Sequence, residues 1–202
     1  MARSPAGDRG RAMNTPAHAI FGAAVFGRAG DFRVTTAAIA GGLVPDLPLM
    51  TMVGWSLWVR GVSPEMVFGT YYFSEDWQAV FSIDHGFFIW GAALLLAILL
   101  RRPVLLAFAG SGFLHALVDF FVHHDDARAQ FWPLTSWKFQ SPISYWDRAH
   151  FGQYVGPLEI VVSLGLCVLL WRRFHRMPAR ALIVLAAVAE TAPSIMFGLM
   201  LH

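Results

Sequence analysis

The densest chemistry in the chain lies in Ser111-Gly-Phe-Leu-His115-Ala-Leu-Val-Asp119-Phe-Phe-Val-His123-His124-Asp125-Asp126. His115, Asp119 and His123 follow an i, i+4, i+8 spacing and share one stripe of a helix. Neighbours at i, i+4 can ligate one ion together, as paired ligands do in helical metal motifs. His115 and His123 are about 12 Å apart along the axis, too far to share a metal. The plainer reading of the pair is a buried His–Asp hydrogen bond between two helices. Three other places carry similar groups. Asp46 sits in Gly41-Gly42-Leu43-Val44-Pro45-Asp46-Leu47-Pro48, where two prolines must break or kink a helix. Asp84-His85-Gly86 opens an apolar segment, and His18 stands four residues before Gly22, a glycine that would let another helix approach closely. Imidazole and carboxylate without thiolate suit Zn²⁺, Mn²⁺ or Fe²⁺. Three or more such ligands with an open position let a bound water act as nucleophile near neutral pH.

The elements that must position these residues are membrane spans. The chain has 202 residues, 56% hydrophobic and 14% charged, with a mean hydropathy of +0.53. A soluble domain carries about a quarter charged residues, so a soluble enzyme, a disordered chain and a nucleic-acid module all fit poorly. Apolar runs predict five spans, at about 34–53, 81–100, 103–122, 156–171 and 180–201. A sixth apolar piece, 16–27, has Asn14 or Thr15 as N-cap and Pro16 at the first helical position. It spans only about 18 Å, too short to cross, and reads as re-entrant or interfacial. The expected fold is an all-α polytopic bundle, with residues 1–12 a basic tail and 13–202 one membrane domain.

Arginines lie in four clusters: Arg3/Arg9/Arg11, Arg28/Arg33, Arg101/Arg102 and Arg172/Arg173/Arg176/Arg180. All four fall on the cytoplasmic side if the short helix does not cross. The loops 54–80 and 123–155 then face outward, and their Trp, Tyr and Phe residues read as an interfacial belt or as the rim of an entrance for a lipid-like ligand. Asp46, His85, Asp119 and His123 fall in the outer half of the bilayer, with His115 nearer mid-depth; His18 joins them only if its helix lies deep. An ionisable group inside a span costs at least about 2.5 kcal/mol unless paired or wetted. The common depth therefore favours one shared site.

These residues also carry a family resemblance. His18/Gly22, Pro45-Asp46, Asp84-His85-Gly86 and His115/Asp119, in that order over about residues 13–126, resemble the small bacterial inner-membrane metal-dependent hydrolases that include a LexA-regulated member. Met13-Asn-Thr-Pro-Ala-His18, His123-His-Asp-Asp-Ala-Arg128 and Phe131-Trp-Pro-Leu134 also resemble a set of proteobacterial membrane proteins of about this size, some labelled for cobalamin biosynthesis. Leu47-Pro48 and Phe87 to Trp90 stand where the hydrolase family usually carries further Asp and His ligands. The resemblance implies that His18, Asp46, His85, His115 and Asp119 hold a divalent transition metal, zinc first and manganese or iron next. Asp84 and His123 would then orient ligands or carry protons. It implies hydrolysis of a phosphoester or ester of a membrane lipid or other amphiphile, in the bacterial inner membrane, with the N-terminus cytoplasmic. Two alternatives stay open. One is a non-catalytic accessory or structural protein with a degenerate metal site and a membrane-complex partner. The other is a small transporter using Glu190, which also reads as a packed neutral carboxyl.

Overall fold

The structure is a computed structural model that describes residues 15–200, with side chains through residue 192. The expected tail at 1–12 and the candidate cap Asn14 lie outside the described residues. Among the described residues nine α-helices follow one another: α1 (Thr15–Phe26), α2 (Phe32–Leu43), α3 (Leu47–Gly54), α4 (Pro64–Met66), α5 (Glu75–Asp84), α6 (Phe87–Leu99), α7 (Pro103–Val122), α8 (Gly152–Arg173) and α9 (Met177–Met200). There is no strand among the described residues. The protein is an all-α membrane protein: four helical stretches, Phe32–Val59, Glu75–Leu99, Pro103–Val122 and Gly152–Arg173, are long and apolar enough to cross a bilayer. The span expected at 180–201 falls on α9, whose last side chains lie outside the described residues.

Local sequence explains the main boundaries. Asp31 caps α2 by accepting from the Arg33 and Val34 amides, and Pro103 opens α7 where a missing N–H costs nothing. The prolines around Asp46 tighten the chain into a single 3₁₀ turn, Val44–Asp46, and the helix resumes at Leu47. The kink expected there is thus a local tightening inside one 28-residue stretch. The 54–80 segment differs from the expected open loop. It winds through π-helical turns at Trp55–Val59 and Val67–Tyr71 and through α4 and α5. Ser63 and Ser74 supply the N-caps, accepting from Met66 N and Trp77 N.

Helix α1 lies inside the bundle, packed against α2, α7, α8 and α9. Small residues make this possible. A Cβ on Gly42 would stand 2.5 Å from the His18 carbonyl oxygen, and one on Gly22 would stand 2.7 Å from the Ala38 carbonyl oxygen. Across the bundle, a Cβ on Gly41 would stand 2.1 Å from the Phe108 carbonyl oxygen. Helices α1, α2 and α7 therefore meet backbone to backbone, and the polar groups they carry are brought within reach of one another. At the far end, Arg173 Nη1 donates to the Ala24 and Gly27 carbonyls at 2.7 and 3.3 Å, satisfying the C-terminus of α1. A cavity of about 330 Å³ there is walled by Arg28, Pro103 and Arg173. The Arg28, Arg101/Arg102 and Arg172/Arg173 clusters thus share one end of the molecule.

Candidate metal centre

Three elements deliver four residues to the site. Asp46 ends the 3₁₀ turn after α2, His85 occupies the turn between α5 and α6, and His115 and Asp119 stand one turn apart on α7. All four are buried, and one ligand atom from each lies within 4.8 Å of the others. His85 Nε2 is 3.2 Å from Asp119 Oδ2 and 3.7 Å from Asp46 Oδ1. His115 Nε2 is 3.5 Å from Asp119 Oδ2 and 3.6 Å from Asp46 Oδ1. Ligand bonds of about 2.0–2.2 Å in a tetrahedron separate ligand atoms by roughly 3.3–3.6 Å, so the spacing matches that of a coordination shell.

Hydrogen bonding supports the same reading. Asp46 Oδ1, His85 Nε2, His115 Nε2 and Asp119 Oδ2, the four converging atoms, are each buried with no hydrogen-bond partner. An unsatisfied polar group in such surroundings costs several kcal/mol. Four facing one another make sense as ligands. Their opposite ends are all held. His115 Nδ1 donates to the Gly42 carbonyl at 2.7 Å, which leaves the lone pair of the neutral ring on Nε2. His85 Nδ1 meets Asp84 Oδ1 at 2.5 Å, fixing the same tautomer. Thr15 Oγ1 donates to Asp46 Oδ2 at 2.6 Å. Asp119 Oδ1 lies 3.1 Å from His18 Nε2 and 3.5 Å from His123 Nε2. Such outer partners fix the tautomer and orientation of metal ligands. The donor set could hold a metal ion, and two carboxylates offset a divalent charge.

The remaining expected residues surround this shell. His18, expected as a ligand, stands outside the four converging atoms: it stacks on His115 with ring centroids 3.7 Å apart and meets the far oxygen of Asp119. Asp84 holds His85, and His123 bridges Asp119 to Asp126. His123 follows the end of α7; burial alone would lower its pKa, but the Asp126 and Asp119 carboxylates outweigh it and raise it to about 9. Asp126, which burial would raise, is instead held below the usual range by His123, and Trp146 Nε1 donates to the same oxygen at 3.2 Å. Glu190 is fully buried on α9, outside the four-residue group.

His124 and His150 form a separate stacked pair, held by the Ser141 carbonyl and by Asp147. The 123–151 segment folds over this end of the bundle as a cap. Gln130 Nε2 donates to the Ala116 carbonyl, Phe87 N donates to the Gln130 carbonyl, and Ser141 Oγ donates to the Phe121 carbonyl. Arg128 is fully buried there, donates to Tyr72 Oη at 3.3 Å and lies 5.5 Å above the Phe81 ring.

Sequence reasoning missed Thr15, the Gly42 carbonyl, Asp126 and Arg128. Thr15 was visible only as a helix-start residue, although its hydroxyl serves a carboxylate 31 positions away. His18, Asp119, His123, Tyr145 and Glu159 wall a cavity of about 10 Å³ beside the cluster, room for about one water molecule.

No family model matches the chain, and neither a curated protein nor a solved structure matches it.

Proposed function

We propose that the protein is a membrane-embedded metal-dependent hydrolase acting on a phosphoester or ester of an amphiphile, at the end of the bundle opposite the Arg28, Arg101/Arg102 and Arg172/Arg173 clusters. The observation that carries this reading is the convergence of four buried ligand atoms that lack any other partner. The ordered motifs that resemble bacterial inner-membrane metal-dependent hydrolases support it. Placing the arginine clusters in the cytoplasm puts the site in the outer half of the inner membrane.

Asp46, His85, His115 and Asp119 would hold the ion; zinc, manganese or iron suits them. A divalent ion there supplies Lewis-acid polarisation of a substrate oxygen and acidification of water. Thr15, Asp84 and the Gly42 carbonyl hold three of the ligands in place. His18 and His123 grip the fourth, and His123 borders the one-water cavity, where its Nε2 proton can reach a leaving group.

A second reading rests on that cavity. Space for one water admits no amphiphile as it stands, and four protein ligands complete the tetrahedral shell of a structural zinc. The same four leave two positions open on a six-coordinate ion such as manganese. The test is turnover of chromogenic long-chain phosphoesters and carboxylesters by purified protein loaded with Mn²⁺, Fe²⁺ or Zn²⁺. Turnover in any loaded form that is lost in Asp46→Asn supports the hydrolase. One tightly held zinc per chain with no turnover supports the structural site.

A further inference from the structure

A second feature lies on the opposite flank of α1 and is independent of the metal reading. A cavity of about 670 Å³ runs between α1 and α2 on one side and α9 on the other, with Leu170 and Phe174 at the C-terminal end of α8 in its wall. Apart from Thr15, Thr35 and Thr36, every side chain in its wall is apolar, among them Ile20, Ile39, Phe174 and Ile183. It follows α1 from Ala23 to Thr15, most of a 12-residue helix about 18 Å long. That length is close to half of the ~30 Å hydrocarbon thickness, the depth of one leaflet.

Charge marks which end is the mouth. Phe174 and Ala179 line the cavity at the α8–α9 turn, and that turn carries Arg172, Arg173, Arg176 and Arg180. Arg180 lies 4.6 Å over the Trp171 ring and donates through Nε to the Phe174 carbonyl, so its guanidinium is held at the mouth. Arg172, Arg173 and Arg176 are exposed. Across the bundle end stand Arg28 and Arg33 with one acid between them, Asp31, which is occupied in capping α2. At the opposite end, among the described residues, the lining reaches Thr15, Met50 and Ala189, and Thr15 is the residue that donates to Asp46.

We infer that this groove binds one anionic phospholipid of the leaflet at the arginine-bearing end. One acyl chain lies along α1, and the phosphate sits among the α8–α9 arginines. An apolar slot one leaflet deep with a cationic rim fits a lipid of this charge, and basic pockets between spans commonly take anionic headgroups. The chain tip meets Thr15, so the lipid packs under a residue that holds a ligand of the candidate metal centre.

The test is native mass spectrometry of the full chain, delipidated in detergent and given phosphatidylglycerol, phosphatidylcholine or inorganic phosphate. The expected result is retention of one phosphatidylglycerol per chain, little phosphatidylcholine and no effect of phosphate. Arg176→Gln/Arg180→Gln weakens retention about 25-fold, each arginine near the headgroup contributing roughly a factor of five. Ala186→Phe, which fills the groove midway, abolishes retention while the arginines stay in place. Arg176 is exposed and Arg180 half-buried at the rim, so the arginine pair, tested beside Arg176→Gln alone, decides the matter if Ala186→Phe does not fold. Equal retention of phosphatidylcholine, phosphatidylglycerol retention unchanged by the arginine pair, or phosphatidylglycerol retention unchanged by a folded Ala186→Phe would each overturn the inference.

Discussion

Replacing Asp119 by Asn removes one charge at nearly constant volume, at the residue where the cluster is most connected. Its Oδ2 faces His85 and His115, and its Oδ1 faces His18 and His123. In wild type an ion at a hundred times its Kd stabilises the fold by about 2.7 kcal/mol, or roughly 5–11 °C in Tm for a chain of this size. In Asp119→Asn the amide is a far poorer ligand, the set carries one negative charge, and this metal-dependent shift disappears. The metal-stripped proteins give a second comparison. The ligand oxygens of Asp46 and Asp119 lie within 4.8 Å, where two unit charges repel by at least about 3.5 kcal/mol at an effective dielectric of 20. Against that relief stands the loss of the Asp119 partner of His123, which its carboxylates hold protonated up to about pH 9, so in the stripped proteins the two effects oppose each other and the metal-dependent shift is the decisive quantity. Thermal unfolding in detergent, with and without Mn²⁺ or Zn²⁺ after chelation, reads both quantities. An equal metal-dependent shift in variant and wild type would refute the reasoning.

Thr15→Val keeps the shape of the side chain but removes the donor to Asp46, and weakens metal retention about 10- to 100-fold in a competitive chelator titration. Gly42→Ala places a Cβ 2.5 Å from the His18 carbonyl; parting α1 from α2 costs about 1–3 kcal/mol and lowers Tm and metal content together. Ser136 and Pro178 are both exposed, at opposite ends of the bundle. In a Cys167→Ser background, Ser136→Cys reacts with an impermeant maleimide on intact cells, and Pro178→Cys reacts only after permeabilisation. The reverse pattern would invert the proposed orientation.

Much of the site was legible because the membrane makes polar groups conspicuous. His115 and Asp119 stood out by their one-turn spacing, Asp46 by its two prolines, and His85 by its place beside Asp84 in an apolar stretch. Of the four arginine clusters, the three among the described residues share one end. What was hidden depends on packing across the bundle. Helix α1 has no marked apolar stripe, so periodicity did not indicate its neighbours, and beyond Gly22 nothing in its sequence pointed to its packing against α2, α7, α8 and α9. Thr15 and the Gly42 carbonyl hold ligands through contacts 31 and 73 positions apart in sequence, beyond the reach of local spacing. His123 was expected to orient a ligand or carry protons, and it touches Asp119 on one side; its contact with Asp126 on the other lies past the end of α7 at Val122, where helical spacing gives no guide.

The most direct test of the account is the metal content of protein purified from cells in detergent, by elemental analysis, for wild type beside His115→Ala/Asp119→Ala. The account predicts about one transition-metal ion per chain in wild type and none in the double variant, with both proteins eluting as folded species. Wild type that holds no ion, even after reconstitution with Zn²⁺, Mn²⁺ and Fe²⁺, would contradict it and leave the buried histidines and aspartates as helix-packing contacts.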